Sequence, residues 1–287
     1  MNPERIDQLV TQALEIEAES ARDADAIGYM ARALVQATMP HKKTHDTHFK
    51  RTNGNYSLVM IAGDPDIGLP HGSLPRLMLA WLGSEVIKTR EQTVTLGNSM
   101  SAFMRELGLV PTGGRWGSIP RLKNQSQRLF NCLITCTYTN DQHFQNADPF
   151  HIGRADLWWS RSGLHDQLNL FQSTVHLSDK FYEEILKHPV PVDLRILKAL
   201  RRSPLALDIY SWSQYRLYTL SHSGRPSVAI PWPALQTQFG ASYSRTRDFK
   251  KYFITELRKV LTFCPDARIE ADEDGLLLKK SRLQIAD

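Results

Sequence analysis

Apolar residues in the last quarter of the chain follow a strand period, then a helix period, then a strand period again. Residues 228–230 form a short apolar β-run, residues 232–239 suit a short helix, and Gly240 provides a turn. A longer helix is predicted from about residue 245 to residue 261. Its apolar residues recur at helical spacing and form an inward stripe of Phe249, Tyr252, Phe253, Leu257 and Val260. Residues 267–280 predict a two-strand hairpin. Strand, helix, turn, helix and hairpin is the order of a winged helix-turn-helix.

The longer helix of this unit carries basic residues on the faces outside its apolar stripe. From Ser242 to Lys259 the chain has six Lys or Arg residues and two Asp or Glu residues. Such cations neutralise phosphates and release counterions, so we expect the affinity for DNA to fall steeply with salt. Side chains at the start of the helix would reach base edges in the major groove. The residues predicted to contact DNA here are Tyr243, Ser244, Arg245, Arg247, Lys250, Lys251, Lys279, Lys280 and Arg282.

Residues 56–188 predict a second unit of the same kind, with a weaker pattern. Tyr56 to Ala62 is an apolar β-run, and residues 134–139 predict a strand with residues 156–160 as its hairpin partner. Three helices are expected to begin near Ser73, Asn98 and Ser118. The third has a polar, cationic face, and Arg, Asn and Gln pair bidentately with guanine or adenine. The residues predicted to contact DNA in this unit are Arg115, Arg121, Asn124, Gln125 and Arg128.

The loop before the third helix contains Gly113, Gly114 and Trp116. We expect these residues to fix the shape of the loop.

Apolar stripes in residues 4–38 predict a helix that Pro40 ends, so residues 1–40 are expected to form an amphipathic accessory helix. Such a helix either docks on its own domain or self-associates. Residues 41–55 are polar and basic, which indicates a linker or an arm on the DNA backbone. The predicted fold class is α+β, with the accessory helix, the linker, a first winged-helix domain over residues 56–188 and a second over residues 189–287.

Positive charge falls in two blocks, which suits two modules that contact DNA. Residues 38–150 carry twelve basic and eight acidic groups, and residues 190–287 carry sixteen and ten. Residues 1–37, in contrast, carry three basic and seven acidic groups. The formal net charge of the chain is +5. This distribution supports association with nucleic acid, although it does not identify a fold.

Cysteine content and hydropathy favour a reduced, cytoplasmic location without a membrane partner. Cys132, Cys136 and Cys264 are too few for a disulfide framework, and the first two are expected in a strand or core. No apolar run of about 18 residues predicts a membrane span. The acidic N-terminus lacks the apolar region of a signal peptide.

No cofactor or metal is expected. His41, His45 and His48 could share a helix face, but neighbouring Lys and Arg residues repel a cation, and no carboxylate lies at a suitable spacing.

An enzymatic alternative is a nicking initiator with a tyrosine nucleophile and metal-bound histidines. The sequence has no two histidines flanking one apolar residue, and it has no glycine-rich phosphate loop. No nucleophile and base can be paired. We therefore expect a protein that is not an enzyme and binds DNA without covalent chemistry.

Four segments carry a family resemblance: Gly68–Trp81, Leu96–Leu109, Tyr210–Tyr218, and Gln238–Gly240 followed by Tyr243–Lys250. With these segments, residues 40–282 resemble the RepA C-terminal family of plasmid-encoded replication proteins. His71 departs from the pattern, since an aromatic residue is expected in that loop. The resemblance implies a plasmid replication initiator that binds repeated sequences (iterons) in double-stranded origin DNA. It further implies opening of an AT-rich region, recruitment of the host initiator and replicative helicase, and a monomer–homodimer equilibrium.

The same fold would serve a transcription or copy-control repressor without a direct role in initiation. A single palindromic operator would favour the repressor. Direct repeats would favour an initiator, because several copies must then assemble in one orientation. The sequence leaves both alternatives open.

Overall fold

The structure of this 287-residue chain is a computed structural model, and it describes residues 3–97, 99–146, 149–157, 173–240 and 243–285. Asn98, residues 158–160 and Ser242 belong to predicted segments and lie outside these ranges. The described residues contain ten helices and twelve strands. Among them, no helix is both long and apolar enough to span a bilayer.

The helices are α1 (Pro3–Glu17), α2 (Arg32–Gln36), α3 (Ser73–Thr89), α4 (Met100–Glu106), α5 (Ser118–Phe130), α6 (Asp179–Lys187), α7 (Leu194–Leu200), α8 (Pro204–Ser221), α9 (Trp232–Phe239) and α10 (Thr246–Phe263). The strands are β1 (Ile27–Ala31), β2 (His48–Asn53), β3 (Tyr56–Ala62), β4 (Thr93–Thr95), β5 (Cys132–Thr139), β6 (Phe144–Asn146), β7 (Gly153–Asp156), β8 (Thr174–Leu177), β9 (Pro189–Asp193), β10 (Ser227–Pro231), β11 (Ile269–Ala271) and β12 (Gly275–Lys279). They form four antiparallel sheets in the orders β2-β3-β5-β6, β4-β8-β7, β1-β9 and β10-β12-β11.

The predicted order of strand, helix, turn, helix and hairpin at the end of the chain is confirmed by β10, α9, α10, β11 and β12. Strand β12 lies between the other two strands, with Ile230 opposite Leu276 and Ile269 opposite Leu278. The apolar stripe of α10 is buried at Phe249, Phe253, Leu257 and Val260, whereas Tyr252 is exposed. Four of the five positions predicted to face inward are therefore correct, and α10 also buries Glu256 and Phe263.

The single helix predicted over residues 4–38 is wrong, because Ile27–Ala31 is a strand that pairs with Pro189–Asp193. Only residues 3–17 and 32–36 of this stretch are helical, as α1 and α2. A helical apolar pattern cannot reveal a strand partner so far along the chain. The prolines of β9 fit its free edge. Leu194 N donates to Ala26 O at 2.9 Å, so the alternate backbone N–H groups of β9 face β1. Proline, which lacks an N–H group, occupies positions that face away.

The linker predicted over residues 41–55 needs correction too. His48–Asn53 is strand β2, and Arg51 lies opposite Leu58 of β3. The predicted strand over residues 134–139 is confirmed, but its hairpin partner is β6. Residues 153–156 pair with β8 instead. The polar composition of β2 and β6 hid both strands from a hydrophobic pattern.

A buried ion pair joins α3 to α8. Arg76 Nε and Nη2 donate to the two carboxylate oxygens of Asp208 at 2.6 and 2.7 Å. The remaining donors of Arg76 reach the carbonyl oxygens of Met39, Pro40 and Gly72. His41 Nε2 lies 2.7 Å from Asp208 Oδ2. This cluster therefore fixes the segment before β2 against two central helices.

Arg51 adds a second buried guanidinium near this cluster. Its guanidinium carbon lies 4.8 Å from the centroid of the Phe49 ring. Among the described residues, its Nε and Nη1 atoms have no hydrogen-bond partner. Burial lowers the pKa of Arg51 to about 10, and the negative charge of Asp208 partly offsets this effect. Asp208 therefore balances positive charge from more than one side chain.

We expect the stability of the protein to fall when the pH drops below about 6.5, partly through His41. Burial lowers the pKa of His41 below 6.5, although the hydrogen bond to Asp208 opposes the shift. The unfolded chain then takes up a proton at a higher pH than the folded chain, so acid favours unfolding. Urea unfolding at about pH 7.5 and about pH 5.5 measures the drop. His41→Gln should reduce it.

His48→Gln is the matched control, since His48 is exposed on β2. A pH dependence that is the same in His41→Gln as in the unsubstituted protein would contradict the role of His41. Burial lowers the pKa of His71 also, so a smaller drop is expected to persist in the His41 variant.

Candidate nucleic-acid interface

An aromatic cluster fixes α9 and α10 against each other. The Trp232 ring meets Phe249 and Phe253 edge to face, with centroids 6.5 and 5.9 Å apart. Phe239 meets Phe253 in the same way at 5.5 Å. Trp232 Nε1 also donates to Asp272 O in the hairpin turn at 3.2 Å. The cluster therefore positions helix α10 and the hairpin as one rigid unit.

The connection between α9 and α10 is held by Gln236. Its Nε2 donates to Tyr243 O at 3.0 Å, and its Oε1 accepts from Thr246 Oγ1 at 2.6 Å. The Tyr243 ring packs on Phe249 with centroids 5.8 Å apart and is half-buried. Burial raises the pKa of Tyr243 to about 12. Of the residues predicted to contact DNA, Tyr243 thus belongs as much to the scaffold as to the surface.

Gly240→Ala is expected to lower the free energy of unfolding by about 1–3 kcal/mol, as overpacking of a core does. A Cβ atom at Gly240 would lie 2.6 Å from Cδ2 of Phe249, which is fully buried. Urea denaturation measures the change. Gly224→Ala is the matched control, because a Cβ atom there meets no atom within 4 Å. Equal stabilities of the two variants would contradict this packing.

The first turn of α10 presents cations to solvent. Ser244, Arg245 and Arg247 are all exposed, and the Arg247 side chain retains 89% of its accessible area. The nearest acidic contact of Arg247 is Asp248 Oδ1 at 3.9 Å, too long for a hydrogen bond. Lys251 is exposed and lies one turn after Arg247, so the two side chains share a helix face. This face is opposite the buried stripe of α10.

The hairpin is less cationic than its sequence suggested. Lys279 Nζ forms an ion pair with both carboxylate oxygens of Glu270, at 2.7 and 2.8 Å. Lys250 Nζ donates to Glu273 O at 3.0 Å and lies 5.2 Å from the Trp232 ring. The turn itself is acidic and exposed over residues 272–274. Lys280 and Arg282, just beyond β12, are exposed and remain accessible, as does Arg268 directly before β11, which was not among the predicted contacts.

Helix α5 exposes to solvent only some of the residues that were predicted to contact DNA. Arg121 and Asn124 are exposed, but Gln125 and Arg128 are each only 7% exposed, so the prediction of one solvent-facing surface is wrong for these two. The reason is the buried stripe, in which Leu122, Gln125, Ser126 and Leu129 recur at helical spacing. Lys123 and Gln127 are exposed as well. A helical-wheel projection of α5 with this stripe facing inward would have identified both.

Gln125 and Arg128 hold the loop before α3. Gln125 Oε1 accepts from His71 N at 2.9 Å, and Arg128 Nη1 donates to Leu69 O at 3.2 Å. Arg128 Nε also donates to Asn124 Oδ1 at 2.7 Å. Gly68 leaves room for the guanidinium, since a Cβ atom there would lie 2.8 Å from Arg128 Nη1. These contacts give the two side chains a structural role.

The loop between α4 and α5 carries Arg115, which was predicted to contact DNA, and Trp116. Both side chains are exposed, and the Arg115 guanidinium carbon lies 5.1 Å from the Trp116 ring centroid. The expectation that Trp116 fixes the loop is wrong, because its side chain does not pack on the core. Hydrogen bonds around Ser118 hold the loop instead.

Fold and surface together define a mixed α/β protein in which exposed cations lie at the starts of two helices, α5 and α10. The chain belongs to the family of plasmid encoded RepA proteins, whose family model matches residues 69–234. This stretch is more than half of the 287 residues and contains both Arg76 and Asp208. It ends within α9, so the similar segments at Gln238–Gly240 and Tyr243–Lys250 lie beyond it.

Two crystal structures of RctB domains 2 and 3 are similar in fold. One aligns with a TM-score of 0.58 and 11% identity, over 88% of this chain and 99% of that one. The other aligns with a TM-score of 0.53 and 12% identity, over 86% and 96%. At this identity the likeness concerns the fold alone. No curated protein sequence matches the chain significantly.

Proposed function

We propose that the chain initiates plasmid replication by binding repeated sequences in double-stranded origin DNA and by helping to recruit host replication proteins. Membership of the plasmid encoded RepA family supports a role in replication initiation. The proposed readers are two winged helices in tandem, over residues 56–188 and 189–287, with residues 1–40 as an accessory segment. In the second of them, α10 would enter a major groove while the hairpin lies along the backbone.

The observation that carries this proposal is the pair Arg245 and Arg247 at the exposed start of α10. The aromatic cluster around Trp232 fixes the helix behind them. Neither guanidinium has a hydrogen-bonded carboxylate partner among the described residues. Arg pairs bidentately with guanine and binds phosphate, so both base and backbone contacts are available.

The accessible residues define the proposed DNA contacts. In the C-terminal unit they are Ser244, Arg245, Arg247, Lys251, Lys280 and Arg282, with Tyr243, Lys250 and Lys279 beside them. In the first unit they are Arg115, Arg121 and Asn124. Lys250 and Lys279 would have to exchange their present partners for phosphates, so we expect each to contribute less than Arg247.

Oligomeric state and host partners complete the proposal. We infer a monomer–homodimer equilibrium and contacts with the host initiator and the replicative helicase, as the family resemblance implies. We also propose that the protein acts on DNA without covalent chemistry. Relaxation of supercoiled plasmid by the purified protein in the presence of a divalent cation would contradict that part.

A replication assay in cells tests the proposed function. A plasmid whose only origin is the non-coding DNA flanking the gene is introduced into cells that supply the protein from a second, compatible plasmid. We expect transformants with the unsubstituted protein, and none with the Arg245→Ala, Arg247→Ala double variant. Equal numbers of transformants with and without the supplied protein would overturn the initiator function and favour a repressor.

A further inference from the structure

Trp116 is the most exposed large apolar side chain among the described residues, with 81% of its surface accessible. Tryptophan is on average a highly buried residue, so this exposure needs a reason other than packing. The neighbouring Arg115 guanidinium lies 5.1 Å from the centre of the indole. The guanidinium therefore lies over one face of an exposed indole, and the loop between α4 and α5 presents the two groups together.

The loop that presents Trp116 is held in shape without help from the indole. Ser118 Oγ donates to Val110 O at 2.6 Å and accepts from Thr112 N at 2.9 Å. Ser118 N donates to Thr112 Oγ1 at 2.9 Å. Gly117 permits this closure, because a Cβ atom there would lie 2.2 Å from Thr112 O. A loop fixed in this way loses little entropy when its exposed ring binds a ligand.

The surroundings of Trp116 are cationic. Arg121 and Lys123 are exposed in the first two turns of α5. From Leu107 to Phe130 the sequence has no Asp or Glu residue. The N-terminus of α5 adds partial positive charge. This setting suits a polyanion that also offers flat aromatic faces.

We propose that Trp116 and Arg115 form a binding site for single-stranded DNA, in which the indole stacks on an unpaired base and the cations bind the flanking phosphates. A duplex presents base edges in its grooves, whereas a single strand can present the face of a base. Two side chains of α5 suited to read edges, Gln125 and Arg128, are buried. The site goes beyond the proposed duplex recognition and would engage a strand exposed where the origin opens.

The test compares single-stranded and duplex ligands on the full chain. Fluorescence anisotropy with a labelled oligothymidylate of about 20 nucleotides gives the Kd for a single strand. Trp116→Ala should raise this Kd about tenfold, because the loss of one base–aromatic stack weakens binding by about that factor. Trp116→Phe should retain most of the affinity. Leu14→Ala, which removes an exposed apolar side chain of α1, should change nothing.

A spectroscopic readout separates stacking from a merely structural effect. Oligothymidylate should quench part of the tryptophan emission of the unsubstituted protein, and Trp116→Phe should lose that quenching while it still binds. The proposal is overturned if the unsubstituted protein does not bind the single strand, or if Trp116→Ala binds it equally well. It is overturned as well if Trp116→Ala weakens binding to an origin duplex by the same factor. Duplex binding through α10 is measured separately, so failure of this site is distinguishable from failure of the proposed function.

Discussion

Replacing Asp208 with alanine is expected to lower the free energy of unfolding by about 3–5 kcal/mol, the cost of breaking a buried ion pair from one side. Asp208 is 8% exposed and accepts two hydrogen bonds from Arg76, which is 3% exposed. Without the carboxylate, the guanidinium of Arg76 would stay buried without its counter-charge. The buried guanidinium of Arg51 would also lose the nearby negative charge of Asp208. Urea denaturation followed by circular dichroism measures the loss.

Glu270→Ala is the matched control for this prediction. It also removes a carboxylate from an ion pair, with Lys279, but Glu270 is 61% exposed. Exposed pairs contribute about 0–1 kcal/mol, so its effect should be small. If Asp208→Ala does not fold, Asp208→Asn preserves the shape and tests the charge alone. If neither Asp208 variant lowers the free energy of unfolding by more than Glu270→Ala does, the role of the cluster is contradicted.

The double substitution Arg245→Ala, Arg247→Ala is expected to weaken binding to the specific origin duplex about 100-fold or more. Each side chain would contribute about 1–3 kcal/mol if it contacts a base, and about 1.4 kcal/mol corresponds to a factor of ten in Kd. Both are exposed and neither packs in the core, so the variant should stay folded. Anisotropy titrations at several salt concentrations measure affinity and salt slope together.

The control variant, Arg154→Ala with Arg202→Ala, removes the same charge from exposed positions outside the proposed DNA contacts. Its effect on affinity should be much smaller. If one of the two arginines of α10 reads a base, its loss should weaken specific sites more than unrelated DNA. An equal loss of affinity for all DNA sequences, with a shallower salt slope, would show that both arginines contact phosphates. No loss at all would contradict the interface on α10.

Local periodicity predicted the C-terminal unit well. Phe249, Phe253 and Leu257 are buried as expected. The strand, the two helices and the hairpin also occur in the predicted order. The pattern failed where the partner is remote, as in Ile27–Ala31, which pairs with residues 189–193. Nothing near a strand in the sequence indicates its partner when the two are so far apart.

Charge was the less reliable guide to the interface. Arg76 and Asp208 are 132 residues apart, so their contact could not be predicted from spacing. Arg128 looked like a DNA contact because it is cationic, yet its guanidinium donates to Leu69 O inside the protein. Trp116 was expected to fix the shape of its loop, yet its side chain is exposed. The chemical type of a side chain does not determine whether it faces solvent, and only the packing of neighbouring elements does.

DNase footprinting across the non-coding DNA that flanks the gene tests the central claim most directly. For an initiator that assembles several copies in one orientation, we expect protection of several evenly spaced direct repeats, about one or two helical turns apart. The double variant at Arg245 and Arg247 should lose this protection. A single symmetric site over the promoter would contradict the initiator and indicate a repressor, and salt-sensitive binding without any footprint would contradict sequence-specific recognition altogether.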